Sequence, residues 1–415
     1  MDTVVDTGGN SSRHAGALRH IRICDLSGQL AGAGATRVLA AFGAQVIRIE
    51  DPVTKGLWDI VRQLGPSIHG DTSHEGGSGF NNHNVEKLGV TIDLRTERGK
   101  ELLRDLVRSS DAVTENFSSG VMERLGFGYE SLQELKPDIV YVSNSGFGHA
   151  GPYMPFKSWG PIVQAVSGLT FSSGLPDREP AGWGYSYMDH TGGYMMAIAL
   201  LAALFHRRRT GEGQWVDMAC MEAAASLNGP ALLDVTVNNR PLARPGSPNS
   251  NRDQYQSMAP HGIYPTVEDD RWVAIACRDD ADWAQLGPVL DAPAGDRFAD
   301  PEMLDKVTAV WTAQHTREEI VAALRSLGVP VAPVLLPHER TDEHAGNTAW
   351  GLFPTVTHTK HGSLRVDGLP VHLSRTDWKL EHGGPLLGED NVRVFHEVLG
   401  LPLDEVEQLH AAGVI

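Results

Sequence analysis

From Ile21 onward, short runs rich in β-branched residues alternate with helical stretches, and this alternation leaves the chain few architectures. IRICDL reads as a strand, ATRVLAAF as a helix and AQVIRIE as a second strand, with Gly43 ending the helix between them. Strand, helix and strand joined by such short connections imply a right-handed parallel crossover. The theme returns in GVTIDL (Gly89 to Leu94), the helical ERGKELLRDLVRSS, the strand AVTENF (Ala112 to Phe117), the helical VMERLG and the strand DIVYVSNSGFG. The predicted class is α/β, with a doubly wound domain that places helices on both faces of a parallel sheet.

Beyond Gly151 the sequence becomes loop-rich, punctuated by Pro152, Pro155, Pro161, Gly168, Gly174 and Pro176, and loops of this length in an α/β protein carry function. TGGYMMAIALLAALFHRRRTGEGQ then reads as a helix whose basic last turn, His206 to Arg209, complements the negative end of the helix dipole better than it makes an anion site. Turn formers from Leu242 to Asp253 mark a linker. HGIYPTVEDDRWVAIACR follows as two antiparallel strands around the acidic turn Glu268 to Asp270, and DDADWAQLGPVL and REEIVAALRSLG are helical. Short strands are expected around Leu364 and Val371, then a helix in VRVFHEVLG and a closing segment LDEVEQLHAAGVI. The predicted organisation is a flexible tail at 1–16, a Rossmann-like large domain at 17–225, a linker at 226–254, a smaller α+β domain at 255–337, and a connector at 338–415 that returns to the large domain.

Charge and cysteine usage exclude several functions. With 35 Lys+Arg against 52 Asp+Glu and a formal charge of −17, the chain lacks the basic footprint of a nucleic-acid binder. Three scattered cysteines, Cys24, Cys220 and Cys277, build neither a disulfide framework nor a paired metal site, and suit a reducing cytoplasm. The longest apolar run, Tyr194 to Phe205, spans 12 residues, short of the roughly 20 that a membrane helix needs. No phosphate loop of the GxxxxGK[ST] type and no GxSxG elbow is present. The stretch GQLAGAGAT (Gly28 to Thr36) lacks the third glycine of a dinucleotide loop, where Arg37 stands, so a nicotinamide cofactor is disfavoured despite Glu50 at the end of the second strand. The histidine pairs His338 with His344 and His358 with His361 lack metal-site register and read as solvated loop residues; no metal is expected.

YSYMDHTGGY is more informative, because Asp189 lies between an aromatic run and the Gly192-Gly193 start of an apolar helix. On composition alone, capping of the helix N-terminus is the simpler role. The functional alternative is a carboxylate nucleophile, able to form covalent acyl intermediates where water is excluded.

Several ordered stretches spread from about residue 20 to 415 together resemble the class III CoA-transferase family, which includes formyl-CoA:oxalate CoA-transferase, carnitine CoA-transferase and α-methylacyl-CoA racemase. They are CDLSGQLAGAGATRVLAAFGAQVIRIE, GVTIDLRTERGKELL, DAVTENFSSGVMERLGFGYESL, SGFGHAGPY, the Asp189 helix with RRTGEGQWVDMACMEAA, PHGIYP, and GGPLLGEDN with LHAAGVI. The resemblance implies an interlocked dimer, either a homodimer or a heteromer with a homologous subunit. It implies that Asp189 is the catalytic aspartate, which carries acyl anhydride and CoA thioester intermediates in turn. It also implies acyl-CoA and a carboxylic acid as substrates, with no permanently bound cofactor. The family's CoA contacts fall on Ala31, on Ile92, Asp93, Leu94 and Arg95, on Asn116, Phe117, Ser118 and Arg124, and on Lys157. Arg95, Arg124 and Lys157 are suitable counter-charges for CoA phosphates, although each also suits a surface salt bridge.

Departures from the family pattern narrow the expected chemistry. Where racemases carry a His-Asp pair ahead of the catalytic aspartate, this chain has Trp159-Gly160, and tryptophan cannot serve as the second base of α-proton exchange. The glutamate and the glycine-run loop of formyl-CoA transferases are missing, NRDQYQSMAPHG standing in the loop's place, and Asp51 replaces an arginine at a strand end. Trp159, Gly160 and Trp183, with Tyr185 and Tyr187, suggest a roomy aromatic acceptor pocket, although the same aromatics also suit a core. FKSWGPIVQAVSG resembles the benzylsuccinate CoA-transferase branch. The expected activity is CoA transfer from a donor such as succinyl-CoA to a bulky or aromatic acid. The alternatives are a racemase, an assembly subunit of a heteromeric transferase, and a nucleotide-dependent dehydrogenase.

Overall fold

The structure, a computed structural model, describes residues 16–176, 178–240, 250–252, 257–292, 295–343 and 350–415. The expected tail up to residue 15, linker residues 242–249 and 253, the loop residues 253–256 and His344 lie outside the described residues. Two compact units emerge: one contains the chain up to residue 167, residues 184–228 and residues 350–415, and the other contains residues 168–183 and 229–349.

The first unit is built on a six-stranded parallel sheet. Along the chain come β1 (Arg22–Asp25), α1 (Ala31–Ala41), β2 (Gln45–Glu50), α2 (Ser78–His83), β3 (Leu88–Thr91), α3 (Glu97–Ser109), β4 (Ala112–Glu115), α4 (Val121–Leu125), α5 (Tyr129–Leu135) and β5 (Val140–Ser145). After these follow α6 (Gly160–Val166), α7 (Tyr187–Thr210), β6 (Gln214–Ala219) and α8 (Cys220–Ser226). The strand order is β3-β2-β1-β4-β5-β6, so the chain winds outward from β1 in one direction and then returns beside it to wind the other way.

Both sheet faces are covered, as a parallel sheet requires. One face packs Leu102, Leu103, Leu106 and Val107 of α3 with Phe395, Val406, Leu409 and Ile415 from the end of the chain. On the other face Ala35, Leu39 and Ala40 of α1 meet Met196, Ala197 and Leu200 of α7. Gly193 permits this helix contact: a β-carbon there would lie 2.8 Å from the Ala31 carbonyl oxygen. The Asp93 N–H donates to the Val414 carbonyl at 2.8 Å, joining the chain end to the turn after β3.

Helix α7 has 24 residues, twice the 12-residue apolar run weighed against a membrane span, and by length and composition it could cross a membrane. Its inner face is core instead: Met196, Ala197, Leu200, Ala203 and Leu204 are all buried against the sheet and α1. In its last turn Arg207 pairs with Asp111 at 2.7 Å and with Asp138 at 2.5 Å, so this arginine anchors the helix end to the sheet.

The second unit contains α9 (Gly229–Asn238), β7 (His261–Pro265), β8 (Trp272–Ala276), α10 (Asp280–Val289), α11 (Pro301–Thr312), α12 (Arg317–Ser326) and β9 (Val331–Pro333). β7, β8 and β9 form an antiparallel sheet in that order, backed by Leu286, Leu290, Ile320 and Leu324. Thr316 and Glu319 close a reciprocal capping box at the start of α12.

Residues 350–415 return to the first unit with the hairpin β10 (Thr355–His358) and β11 (Gly362–Arg365) and the closing helix Leu403–Ala411. Around Val371 the expected strand is absent: the chain is irregular there, and the Val371 carbonyl accepts from Trp378 Nε1 at 2.7 Å rather than from a neighbouring strand. VRVFHEVLG forms one wide helical turn, Arg393–Val398, with Val394 and Phe395 buried.

Candidate active site

The turn after β1 is shaped by a buried carboxylate. Asp25 accepts from the Ser27 N–H at 3.0 Å, Thr36 Oγ1 at 2.7 Å and Thr114 Oγ1 at 3.0 Å, and pairs with Lys87 at 3.2 Å. Burial alone would push this carboxyl up, but Lys87 and Arg48 outweigh it and hold Asp25 below the ordinary range. The turn so fixed meets the turn after β4, where the Gly28 N–H donates to Asn116 Oδ1 at 2.7 Å and Asn116 Nδ2 donates to the Gly28 carbonyl at 3.0 Å. β1 and β4 are neighbours wound in opposite directions, so these turns border the switch point of the sheet, where open α/β folds bind ligands.

Beside that point a cavity of about 180 Å3 opens over the carboxyl ends of the strands, and Ile92, Asp93, Leu94, Arg95 and Phe117 all line it. Trp58 completes a wall with its ring 5.3 Å from that of Phe117. Arg95 is held by Asp93, Nε to Oδ1 at 2.7 Å and Nη2 to Oδ2 at 3.0 Å, and its side chain is 60% exposed. Ala31 is the buried first residue of α1, and Ser118 is exposed just past Phe117. Arg124 on α4 and Lys157 before α6 are exposed and lie outside this cavity's lining. Glu50 also lines the cavity, buried and held in ion pairs by Arg62 and Arg48.

Asp189 sits in the first turn of α7. It is not the N-cap: that position belongs to Ser186, whose φ of 47° and ψ of 44° place it in the left-handed region. Burial raises the Asp189 carboxyl above its ordinary range, and hydrogen bonds from the Ser186 hydroxyl and the Gly160 N–H partly offset the rise. Gly160, the buried first residue of α6, makes room for this carboxylate, since a β-carbon there would stand 2.5 Å from Asp189 Oδ2. Cys220 lies close by, its thiol pushed up to about 12 by burial and by the Asp189 charge, and it donates to Asn144 Oδ1. A thiol raised this far stays protonated, and so a poor nucleophile, at neutral pH. Ser186 lies within YSYMDHTGGY but was not itself expected to bear on the site, and Trp58 lies in irregular chain without a motif.

Trp159 is 49% exposed, Tyr185 64% and Tyr187 40%, so these aromatics are not core. The Tyr185 ring stands 6.1 Å from that of His190. Trp183 belongs to the second unit. Of the paired histidines, His358 is buried rather than solvated, its Nδ1 accepting the N–H groups of Lys360 and His361, each at 3.0 Å. Among the described residues no three His, Cys, Asp or Glu side chains gather as a metal site. All three cysteines are free and buried.

The model of CoA-transferase family III matches residues 18–391. The succinyl-CoA–D-citramalate CoA-transferase of Chloroflexus aurantiacus is 31% identical over 98% of this chain and 100% of its own length. The formyl-CoA:oxalate CoA-transferase of Streptomyces avermitilis is 30% identical over 96% of this chain and 99% of its own. The alpha subunit of a succinyl-CoA–L-malate CoA-transferase, also from Chloroflexus aurantiacus, is 29% identical over 96% of this chain and 92% of its own. Among solved structures, a CAIB/BAIF family protein from Brucella suis superposes with a TM-score of 0.83 at 29% identity, covering 92% of this chain and 100% of that one. The six-stranded parallel sheet, the small antiparallel sheets and a match along nearly the whole chain agree: the protein is a class III CoA-transferase, a member of CoA-transferase family III.

Proposed function

We propose that the chain moves CoA from succinyl-CoA to a bulky or aromatic carboxylic acid, with Asp189 as the covalent carrier. The observation that supports this most is the half-buried Asp189 carboxylate in the first turn of a 24-residue helix, against a residue that has no side chain. Partial desolvation strips water from the carboxylate, while hydrogen bonds from the Ser186 hydroxyl and the Gly160 N–H favour its charged form.

An Asp189 carboxylate oxygen attacks the donor thioester carbonyl, the C–S bond breaks, and CoA leaves as its thiolate. The thiolate attacks the aspartyl carbonyl of the resulting anhydride, releasing the donor acid as its carboxylate and leaving an aspartyl-CoA thioester. The acceptor carboxylate attacks that thioester, expelling the CoA thiolate and forming a second anhydride. The thiolate then attacks the acceptor acyl carbon, giving the product acyl-CoA and free Asp189. No proton is gained or lost overall, and no ATP is needed, because anhydride and thioester have similar acyl-transfer potential. Ile92, Asp93, Leu94, Arg95, Asn116, Phe117 and Ser118 would hold the CoA nucleotide at the switch point, with Ala31, Arg124 and Lys157 contacting the rest of CoA. Succinyl-CoA as donor rests on relatives named for it, and the acceptor class rests on the exposed Trp159, Tyr185 and Tyr187 near Asp189 in the sequence.

The test is peptide mapping after incubation with succinyl-CoA and hydroxylamine. A hydroxamate on the Asp189 peptide, absent in Asp189→Ala, is the expected result. Since one relative is the alpha subunit of a two-subunit transferase, a second reading is that this chain works only with a homologous partner. Transfer by the chain purified alone would exclude that reading.

A further inference from the structure

The buried Arg48 and Arg62 and the half-buried Arg207 of the first unit each make ion pairs with carboxylates: Arg48 with Asp59, Arg62 with Glu50 and Glu75, and Arg207 with Asp111 and Asp138. Arg37, on α1, makes no such pair among the described residues, and Asp367 acts on it only through space. Arg37 is 6% exposed, and its Nε and Nη2 are buried without a hydrogen-bond partner among the described residues. These two nitrogens form the edge of the guanidinium that pairs with a carboxylate through two parallel hydrogen bonds.

Arg37 lines a cavity of about 310 Å3 between α1, the end of α2, the start of α7 and the stretch around residues 352–370. That volume equals roughly ten water molecules, enough for a short carbon chain with its head group. His83 and His190 face each other across it with ring centroids 5.4 Å apart, and Tyr194 and Phe353 supply aromatic wall. Burial pushes His83 down to about 4 and lowers His190 as well, so neither ring brings charge at neutral pH. The His83 Nδ1–H is spent on the Gly79 carbonyl at 2.9 Å. Asp367 also lines the cavity, but its Oδ2 accepts from Asn82 Nδ2 at 2.9 Å and it makes no ion pair with Arg37.

We propose that this cavity binds a short-chain aliphatic monocarboxylate, its carboxylate on Arg37 and its hydrocarbon tail against Tyr194 and Phe353. Asp367 already offsets part of the Arg37 charge through space, so one planar negative charge seated on the guanidinium fork is the most the cavity would take. A dianion would meet Asp367 as well, which disfavours inorganic phosphate and dicarboxylates. The site shares the first turn of α7 with Asp189 through His190, but the proposal does not depend on the role given to Asp189.

The experiment is calorimetric titration of sodium butyrate into the full chain, beside Arg37→Met and Asp189→Ala. Wild type and Asp189→Ala are expected to bind butyrate saturably, and Arg37→Met at least roughly tenfold more weakly, with a thermal midpoint no lower than wild type in the absence of butyrate. A binding mode at the reaction centre would instead survive in Arg37→Met and change in Asp189→Ala. If Arg37→Met fails to fold, Arg37→Lys is read in its place; it keeps the charge without the planar fork and is expected to weaken binding several-fold. The proposal is overturned by absence of saturable binding to wild type, by equal binding to the arginine variant, or by inorganic phosphate binding the site more tightly than butyrate.

Discussion

Gly160 and Asp189 are packed so closely that a β-carbon at position 160 would stand 2.5 Å from one carboxylate oxygen and 3.0 Å from the carboxyl carbon. A contact below 3 Å forces a shift, and the aspartate has only two rotatable bonds with which to yield. Gly160→Ala is therefore expected to lower kcat by at least about a hundredfold, roughly 2.7 kcal/mol of transition-state stabilisation, while leaving the fold intact. Steady-state transfer assays and thermal melts on one preparation check both halves of this expectation.

Arg95 offers an exposed cation at the rim of the strand-end cavity, shared with Asp93 and 3.8 Å from Asp51. Arg95→Ala should raise the KM for acyl-CoA about threefold to fivefold and leave kcat nearly unchanged, as befits a solvent-screened contact. The difference from wild type should shrink as salt is added. A fall in kcat with constant KM would remove Arg95 from the nucleotide site.

Glu115, at the end of β4, is almost wholly buried, and burial pushes its carboxyl up to about 7 even though the Phe117 N–H and the Tyr141 hydroxyl donate to it. A carboxyl raised in the folded state holds its proton there after the unfolded chain has lost its own. Its stabilising contribution is full below the ordinary range near 4.5 and is lost as pH rises through about 7. Glu115→Gln removes that dependence, so the variant should gain on wild type between about pH 5 and 8, by up to roughly 3 kcal/mol. Urea unfolding of both proteins across that range measures the gain.

Trp159 caps α6 from a half-exposed position beside Gly160. If its indole contacts the acceptor, Trp159→Ala should cut the preference for an aromatic over a short aliphatic acid by about tenfold. Competition assays with paired acceptors would show this, and an unchanged ranking rejects the aromatic pocket.

With Trp159-Gly160 in the place of a His-Asp pair, only one face of a bound acyl-CoA has an assigned base. Incubation of 2-methylacyl-CoA with the protein in deuterated water should leave deuterium at C2 at background. Incorporation at the rate of turnover would restore the racemase alternative.

The parallel architecture could be read from the chain because β1 to β5 appear as short runs rich in Val, Ile and other apolar residues, separated by helical stretches. β6 escaped that reading: it lies at the sheet edge, half-exposed, and alternates polar Gln214 and Asp217 with apolar neighbours. The start of α7 was set too late because Gly192 and Gly193 read as a helix opening, whereas both lie inside the helix and serve close packing against Cys220 and α1. The family resemblance is what points to Asp189 and to the expected nucleotide contacts, whereas the partnership of Gly160 with Asp189 needed three dimensions. The Arg37 cavity was illegible for a plainer reason, since residues 37, 83, 190 and 367 converge from four separated segments.

The cover that α7 gives to α1 also has a history in time. A ribosome releases β1, α1 and β2 first, and the apolar face of Ala35, Leu39 and Ala40 must then wait for Met196, Ala197 and Leu200, on the order of ten seconds at ordinary elongation rates. Asp93 waits longer still, because its hydrogen-bond acceptor, the Val414 carbonyl, lies far beyond α7 in the chain. Throughout synthesis the nascent chain therefore exposes a sticky helix face and an unfinished nucleotide crevice, and chaperone capture should be strongest between the emergence of β2 and that of α7.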